Sequence, residues 1–490
     1  MPVGNNGGTR RLRIAIVGAG AGGLCLAKDL LAAGIDEFVL LEKNDGVGGT
    51  WRLNRYPGCE CDVQSALYSF SWAPKQDWSK PYGTQPEILA YLEGIAEDLG
   101  VLGHCRFNTE VTSAVWDEDA ARWHLETSAG DAVDAEVVVG AVGMFREPSR
   151  PDIEGLDLFA GNLVHSARWD DDADAVAGKR VAVVGSAASA IQLVPEVANV
   201  AEQLYMFQRT ANWVLPKIDE PYSEAELAHF REHPEIQLTF RNQIYAHMDI
   251  GMTFSDPGPL AEREVIGLAA MEVVEDPDVR AKLVPDHPFG CKRPLFSNNF
   301  YPTFNRTNVE LVTEPITRVS AEGVITADGT VRSVDTIVLA TGFTTTRYLS
   351  SIPVTGRDGR QLDAAWAEGA QAYVGMTTAG FPNLFFLYGP NTNNGSILTM
   401  LEAQSAHVVA QVQRLVDEQL AWVDVRPEAM AAYNDEVQAA IAAIPVWQFD
   451  CNGYYRSSTG RIVTQWPFSM SEFARRAGTI DPTAFESAPL

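Results

Sequence analysis

The chain is poor in positive charge. Its 37 lysines and arginines stand against 64 aspartates and glutamates, a formal net charge of −27 over 490 residues. That balance argues against nucleic acids and anionic membranes as partners, because both carry the same sign. It also makes any cluster of basic residues a local exception that needs a reason. Cysteine is scarce as well: the six (Cys25, Cys59, Cys61, Cys105, Cys291 and Cys451) are scattered and form no CxxC pair. A zinc centre is therefore not expected, and in a reducing compartment all six are expected as thiols. Long apolar runs are missing. The longest without a charge, Ile14 to Ala27, has 14 residues, short of the roughly 20 a membrane helix needs, and glycines interrupt it. The opening MPVGNNGGTRRLR lacks the cationic-then-apolar order of a signal peptide. These absences lead to the expectation of a cytoplasmic protein, monomeric or homodimeric.

What is present is a globular composition with 40 glycines, in a chain too long for one simple core. The stretch LRIAIVGAGAGGLCLAKDL sets an apolar run, Ile14 to Val17, before Gly18-x-Gly20-x-x-Gly23 and a helical pattern. In a dinucleotide-binding unit the first glycine makes the tight turn and the second lets the backbone approach a pyrophosphate. The third allows helix and strand to pack closely, and the helix N-terminus faces the phosphates. A second apolar run, Phe38 to Leu41, ends in Glu42, 24 positions after Gly18, where a carboxylate suits ribose hydroxyls.

A second unit, KRVAVVGSAASAIQLV, repeats the order with Gly185, Ala187 and Ala190 in the three positions and Ser189 between them. Alanine at the third place still permits close packing; at the second it holds a pyrophosphate slightly further off. Counting 24 positions from Gly185 lands on Arg209, followed by Thr210. One half carries an acid where the other carries a base. A carboxylate repels a 2′-phosphate, whereas a guanidinium binds it bidentately. The pair implies FAD in the first half and NADPH in the second.

The expected fold is thus α/β, with two Rossmann-like dinucleotide-binding domains. Runs at Val137 to Phe145 and Thr336 to Phe343 read as buried strands closed by glycine turns. They divide the chain into a first part of an FAD domain (1–148), an NADPH domain (149–343) and a second part of the FAD domain (344–490). Charged helical segments between about 217 and 289, such as SEAELAHFREH, read as a helical insertion forming a lid or substrate wall.

Between the halves lies FAGNLVHSARWD. By composition it is only a linker, yet it fits F-x-G-x-x-x-H-x-x-x-W followed by Asp at Phe159, Gly161, His165, Trp169 and Asp170. That is the fingerprint of type I Baeyer–Villiger monooxygenases, and GGTWRLNRYPGCECD resembles the corresponding segment of the same family. FQRTANWV, GCKRPLFSNNFYPTFNRTNVELV, LATGF and GRIVTQWP match too, so the resemblance runs from about residue 14 to 470. Disulfide reductases, the other large class with two dinucleotide sites, carry a cysteine after GGT; here Trp51 stands there.

The resemblance implies insertion of one atom of O2 beside a ketone carbonyl, giving an ester or lactone, through a peroxide at C4a of NADPH-reduced FAD. A fixed cation in a water-excluding site best stabilises such a peroxide and the adduct it forms. Arginine suits the task because it keeps its proton. By the match, Arg293 is that cation and Asp62 the carboxylate that holds it. Lys292 joins Arg209 on the 2′-phosphate, an arrangement that suits an extended segment whose side chains alternate. Gly49, Thr50, Trp51, Asp62, Tyr68 and Val111 fall on FAD contacts. Trp466 falls on a residue touching the nicotinamide cofactor, though a core tryptophan has the same appearance. His165 lies in the linker, where the resemblance implies coupling of cofactor binding to domain rotation rather than catalysis. The segment YGPNTNNGSI, Tyr388 to Ile397, departs toward the flavin-containing N- and S-oxygenases. Heteroatom oxygenation is therefore the first rival function, and a non-oxygenating NADPH oxidase the second.

Overall fold

The computed structural model describes residues 11–169, 175–451 and 453–490; Asp170 of the linker motif lies outside them. In chain order the first elements are β1 (Ile14–Val17), α1 (Ala21–Ala32), β2 (Phe38–Leu41), β3 (Cys105–Arg106) and β4 (Val137–Gly140). Next come β5 (Asn162–His165), β6 (Arg180–Val184), α2 (Ala188–Val200) and β7 (Gln203–Phe207). Four helices follow: α3 (Glu224–Glu232), α4 (Pro234–Gly251), α5 (Pro257–Met271) and α6 (Pro277–Lys282). The chain then forms β8 (Val309–Val312), β9 (Thr336–Leu339), β10 (Leu384–Phe386) and α7 (Ile397–Asp417).

The protein is α/β. Its centre is two five-stranded parallel sheets, ordered β10-β4-β1-β2-β3 and β8-β7-β6-β9-β5. Every residue of β1 and of β4 is buried, as are Val181 to Val183 of β6. Parallel strands covered by helices on both faces require such unbroken apolar runs. After the second sheet the chain comes back to the first, where β10 sets Leu384 opposite Val138 of β4. An antiparallel meander, Val111–Asp117, Arg122–Thr127 and Ala132–Ala135, alternates buried and exposed residues between β3 and β4. Its pattern of period two is that of strands with one wet face.

The charged segments after residue 216 do form helices. Ser223 caps α3 with Glu226 in a capping box, which satisfies otherwise unpaired N–H groups. Helix α5 lies against Trp213: a Cβ on its Gly267 would stand 2.8 Å from that indole.

The two halves treat their third small residue differently. A Cβ on Gly23 of α1 would stand 2.1 Å from the Gly18 carbonyl oxygen, while Ala190 of α2 is fully buried in the corresponding place with its methyl accommodated. The first helix therefore sits closer to its phosphate turn than the second. Overpacking of this kind costs about 1–3 kcal/mol, and each kcal/mol lowers Tm by ~2–4 °C in a domain of ordinary size. Gly23→Ala is expected to lower the melting midpoint by several degrees and to reduce the FAD that purifies with the protein, whereas Ala190→Gly leaves flavin content unchanged. Flavin absorbance per protein and a thermal melt check both.

Candidate functional site

The first sheet ends in a cradle. Gly18 has φ +112°, and a Cβ there would stand 2.6 Å from the Ala141 carbonyl oxygen, so only glycine fits the turn. Gly20 caps α1, whose first turn holds no acidic residue. Gly49 faces it from the VGGT segment, where a Cβ would lie 3.0 Å from the Gly20 Cα. Beside them opens a cavity with Gly18, Gly20, Glu42, Thr50, Tyr68 and Val111 among its walls. Glu42 is buried; its Oε2 accepts from Ala19 N at 2.8 Å and its Oε1 from Asn44 N at 2.9 Å. Backbone amides thus fix the carboxylate at one end. At another wall Trp51 Nε1 donates to Tyr68 Oη at 2.9 Å, the rings meeting edge-on. A helix N-terminus free of acids, two facing glycine strands and a held carboxylate fit a dinucleotide such as FAD.

The second sheet repeats the turn. Gly185 has φ +129°, and a Cβ there would stand 2.3 Å from the Ala340 carbonyl oxygen. Ala187 caps α2, and Ser186 Oγ donates to the Thr210 carbonyl at 2.7 Å. Arg209 is exposed at the end of β7. Lys292 reaches the same place, donating to Thr210 Oγ1 at 3.1 Å. Burial depresses the Lys292 ammonium, Asp286 opposes that, and the Arg209 charge adds to it. Two cations that disfavour one another gain from an anion placed between them, which is the fit expected for a 2′-phosphate.

Where the halves meet, the turn Tyr56-Pro57-Gly58 lies on α2. Gly58 has φ +77°, and a Cβ would stand 2.5 Å from the Gln192 carbonyl oxygen. Tyr56 Oη donates to Gln192 Oε1 at 2.9 Å and also hydrogen-bonds Ser189. Gln192 Nε2 donates to the Glu60 carbonyl at 3.0 Å. This contact delivers Asp62, two residues beyond Glu60, to Arg293. Arg293 Nε and Nη2 donate to the two Asp62 carboxylate oxygens, each at 2.6 Å. Burial works against the guanidinium charge; Asp62 and the Tyr454 hydroxyl outweigh it, and the net shift is upward. Lys292 and Arg293 do point to different partners, as an extended segment allows.

Other expected residues lie elsewhere. Trp466 is fully buried: its Nε1 donates to the Ser469 carbonyl at 2.9 Å, and it packs on Phe468 and Phe473. It stands in the core, the alternative the sequence left open. Trp169 is also a core residue. His165 sits where the chain passes between the sheets. Its Nδ1 accepts from Ala167 N at 3.1 Å and its Nε2 lies 3.4 Å from Thr341 Oγ1, beside a bridge between Pro148 and Phe343. Burial lowers its pKa, and among its described hydrogen bonds none reaches Arg293 or Asp62. The expectation of six thiols needs correction, because Cys291 and Cys451 form a disulfide. The fold brings them to a Cα–Cα distance of 6.1 Å although they lie 160 residues apart, and composition carries no trace of such a meeting.

The sequence also left residues unnamed. Tyr454 Oη accepts from Arg293 Nη1 at 3.4 Å, and Tyr388 and Phe145 line the first cavity. Nothing local marks Tyr454. The asparagines of Tyr388 to Ile397 have a structural use: Asn391 Nδ2 donates to the Gln465 carbonyl at 2.8 Å and Asn394 Nδ2 to the Phe468 carbonyl at 2.6 Å. They fasten the C-terminal segment.

Comparison with known proteins agrees with this geometry. The family model described as flavin-binding monooxygenase-like matches residues 11–245. A Baeyer–Villiger monooxygenase of Pseudomonas aeruginosa is 40% identical over 486 residues, spanning 97% of this chain and 91% of that protein. One of Streptomyces coelicolor is also 40% identical, spanning 97% and 92%. Among solved structures, an oxidized steroid monooxygenase bound to NADP superimposes with a TM-score of 0.87 at 33% identity, covering 98% of this chain and 100% of that one. The cyclohexanone monooxygenase of Rhodococcus sp. Phi1 bound to NADP+ gives 0.88 at 29% identity, covering 99% and 100%. Two nucleotide cradles joined by an arginine–carboxylate pair, in a chain alike from end to end, place it in one family: the chain belongs to the Baeyer–Villiger monooxygenases.

Proposed function

We propose that the chain converts a ketone, O2, NADPH and a proton into an ester or lactone, NADP+ and water, with Arg293 and Asp62 at the reacting centre. The observation that carries the reading is the bidentate Asp62–Arg293 pair at the junction of the two cradles. FAD, when bound along the Gly18–Gly20–Glu42 cavity, supplies the hydride acceptor for NADPH and the reduction of O2 from which one oxygen atom is transferred. Arg293 holds a permanent positive charge for the anionic ketone oxygen that develops during attack. Asp62 fixes its plane, and fixed charges cost little reorganisation when the reacting charge appears. Arg209 and Lys292 hold the 2′-phosphate and so select NADPH; Thr210, Ser189 and the Ala187 cap complete that end.

The same reading divides the chain near 148 and 343 into a discontinuous FAD domain and an NADPH domain, supported by the return of β10 to the first sheet. It places the enzyme in the cytoplasm; among the described residues no helix is long and apolar enough to cross a membrane.

The deciding assay offers a panel of ketones and one aryl thioether with NADPH and counts ester, sulfoxide and hydrogen peroxide against NADPH consumed. Ester from at least one ketone is expected; sulfoxide without ester moves the protein to the heteroatom class, and peroxide alone with every substrate to the oxidases. Arg293→Ala is expected to lower ester formation by about 10²–10³, the usual loss for one preorganised electrostatic donor, while NADPH still bleaches the flavin. For Arg209→Ala, kcat/KM with NADPH should fall about 10–100-fold, the worth of a charge-assisted contact, with NADH unaffected. Steady-state rates with both nucleotides check this.

A further inference from the structure

Asp62 takes two of the three guanidinium nitrogens of Arg293, and among the described residues the third, Nη1, hydrogen-bonds the Tyr454 hydroxyl alone. A guanidinium held along one edge can still tilt about that edge. A contact on the opposite nitrogen removes the tilt, and a neutral phenol does so without cancelling the charge. The oxygen that accepts from Nη1 retains its own O–H for donation.

Three ties bring Tyr454 to Arg293 from far along the chain. The Cys291–Cys451 disulfide joins the residue two before Arg293 to the residue three before Tyr454. Thr345 Oγ1 donates to the Tyr454 carbonyl at 3.0 Å. The Tyr454 ring stands edge-on to Tyr455 at 5.0 Å and to Phe145 at 6.4 Å, and Phe145 lines the first cavity. Gly453 completes the approach: a Cβ there would lie 3.7 Å from Lys292 Cγ. Both cations of the Lys292–Arg293 pair are thus overlaid by one stretch of backbone outside any helix or strand. Both cysteines of the disulfide are buried, which restricts access by soluble thiols.

We propose that Tyr454 is a positioning residue for oxygen insertion, fixing Nη1 of Arg293, and that the Cys291–Cys451 disulfide holds it there. The inference rests on the function proposed above. Tyr454→Phe keeps the ring and its packing, so folding is spared. With a ketone that the wild type converts, ester kcat is expected to fall about tenfold, the effect of one hydrogen bond to a charged group. Ketone KM stays within about twofold, since an interaction made mainly in the transition state moves kcat. Flavin content and the rate of flavin reduction by NADPH stay at wild-type values, and the missing ester appears as hydrogen peroxide. Cys451→Ser shifts the same ratio in the same direction. Denatured wild-type protein titrates four thiols, those of Cys25, Cys59, Cys61 and Cys105.

Wild-type ester per NADPH in Tyr454→Phe overturns the proposal. So does a loss of flavin or of flavin reduction that matches the loss of ester, which makes Tyr454 a structural residue only. Six thiols in the wild type overturn the tether. A wild type that yields no ester from any ketone overturns the proposed function instead, recognised because wild type and variant then fail alike.

Discussion

The Asp62–Arg293 pair is the constraint on which the arrangement turns. Its members lie 231 residues apart, one on the turn after the first cradle and the other on the extended segment that follows the helical insertion. Each half contributes one charge, so the two cradles must keep a fixed separation for the pair to exist. Breaking a partly buried pair by removing one partner leaves the other charge without compensation. The turn at Gly58, pressed on α2, and the Tyr56–Gln192–Glu60 hydrogen bonds serve that separation. Geometry for chemistry and geometry for domain contact are here the same few residues.

How far this was legible in sequence depends on how local each feature is. The two phosphate turns could be read because strand, glycines and helix lie within about twenty residues and each glycine answers a backbone contact. Gly18 and Gly185 both stand against a carbonyl that no side chain tolerates. Glu42 and Arg209 followed by counting, since the distance from turn to second strand tip is set by one helix. The Asp62–Arg293 pair was legible through family resemblance alone; no spacing rule connects positions so far apart. Trp466 is less legible, because a tryptophan in a matched motif and one in a core look the same in sequence; here it packs on Phe468 and Phe473.

Tyr454 and the disulfide were beyond reach for a related reason. The residues that meet Arg293 and Cys291 come from a C-terminal stretch with little regular structure, positioned by side chains of other segments. Periodicity speaks for helices and strands; it is silent for a coil whose path is set by Thr345, Phe145 and a sulfur partner 160 residues away. The asparagines between Tyr388 and Ile397 belong to the same problem. Their composition pointed toward another chemistry, whereas their amides turn out to be spent on the backbone of the segment that includes Gln465 and Phe468.

Charge ties these observations together. In a chain of net charge −27, a cation without a carboxylate is conspicuous. At the junction, Lys80 and Lys217 share Glu60 and Asp219 in a nearly buried square: Lys80 meets Asp219 at 3.0 Å, Lys217 meets Asp219 at 2.9 Å, and both meet Glu60. Two positive and two negative groups leave it neutral, as burial demands. Glu60 is two residues from Asp62, while Lys217 and Asp219 follow the second cradle. Part of the compensation for that burial is lost if the halves slide, because the Lys80–Asp219 and Lys217–Glu60 contacts run between them. The square therefore favours one registry of the domains over its neighbours. Arg293 is likewise answered, by Asp62. Arg209 and Lys292 are the contrast, two cations drawn together at the end of β7 with Asp286 as the acid acting on Lys292. Their charge is not cancelled by a salt bridge among the described residues, and that separates them from the paired cations of the square and from Arg293.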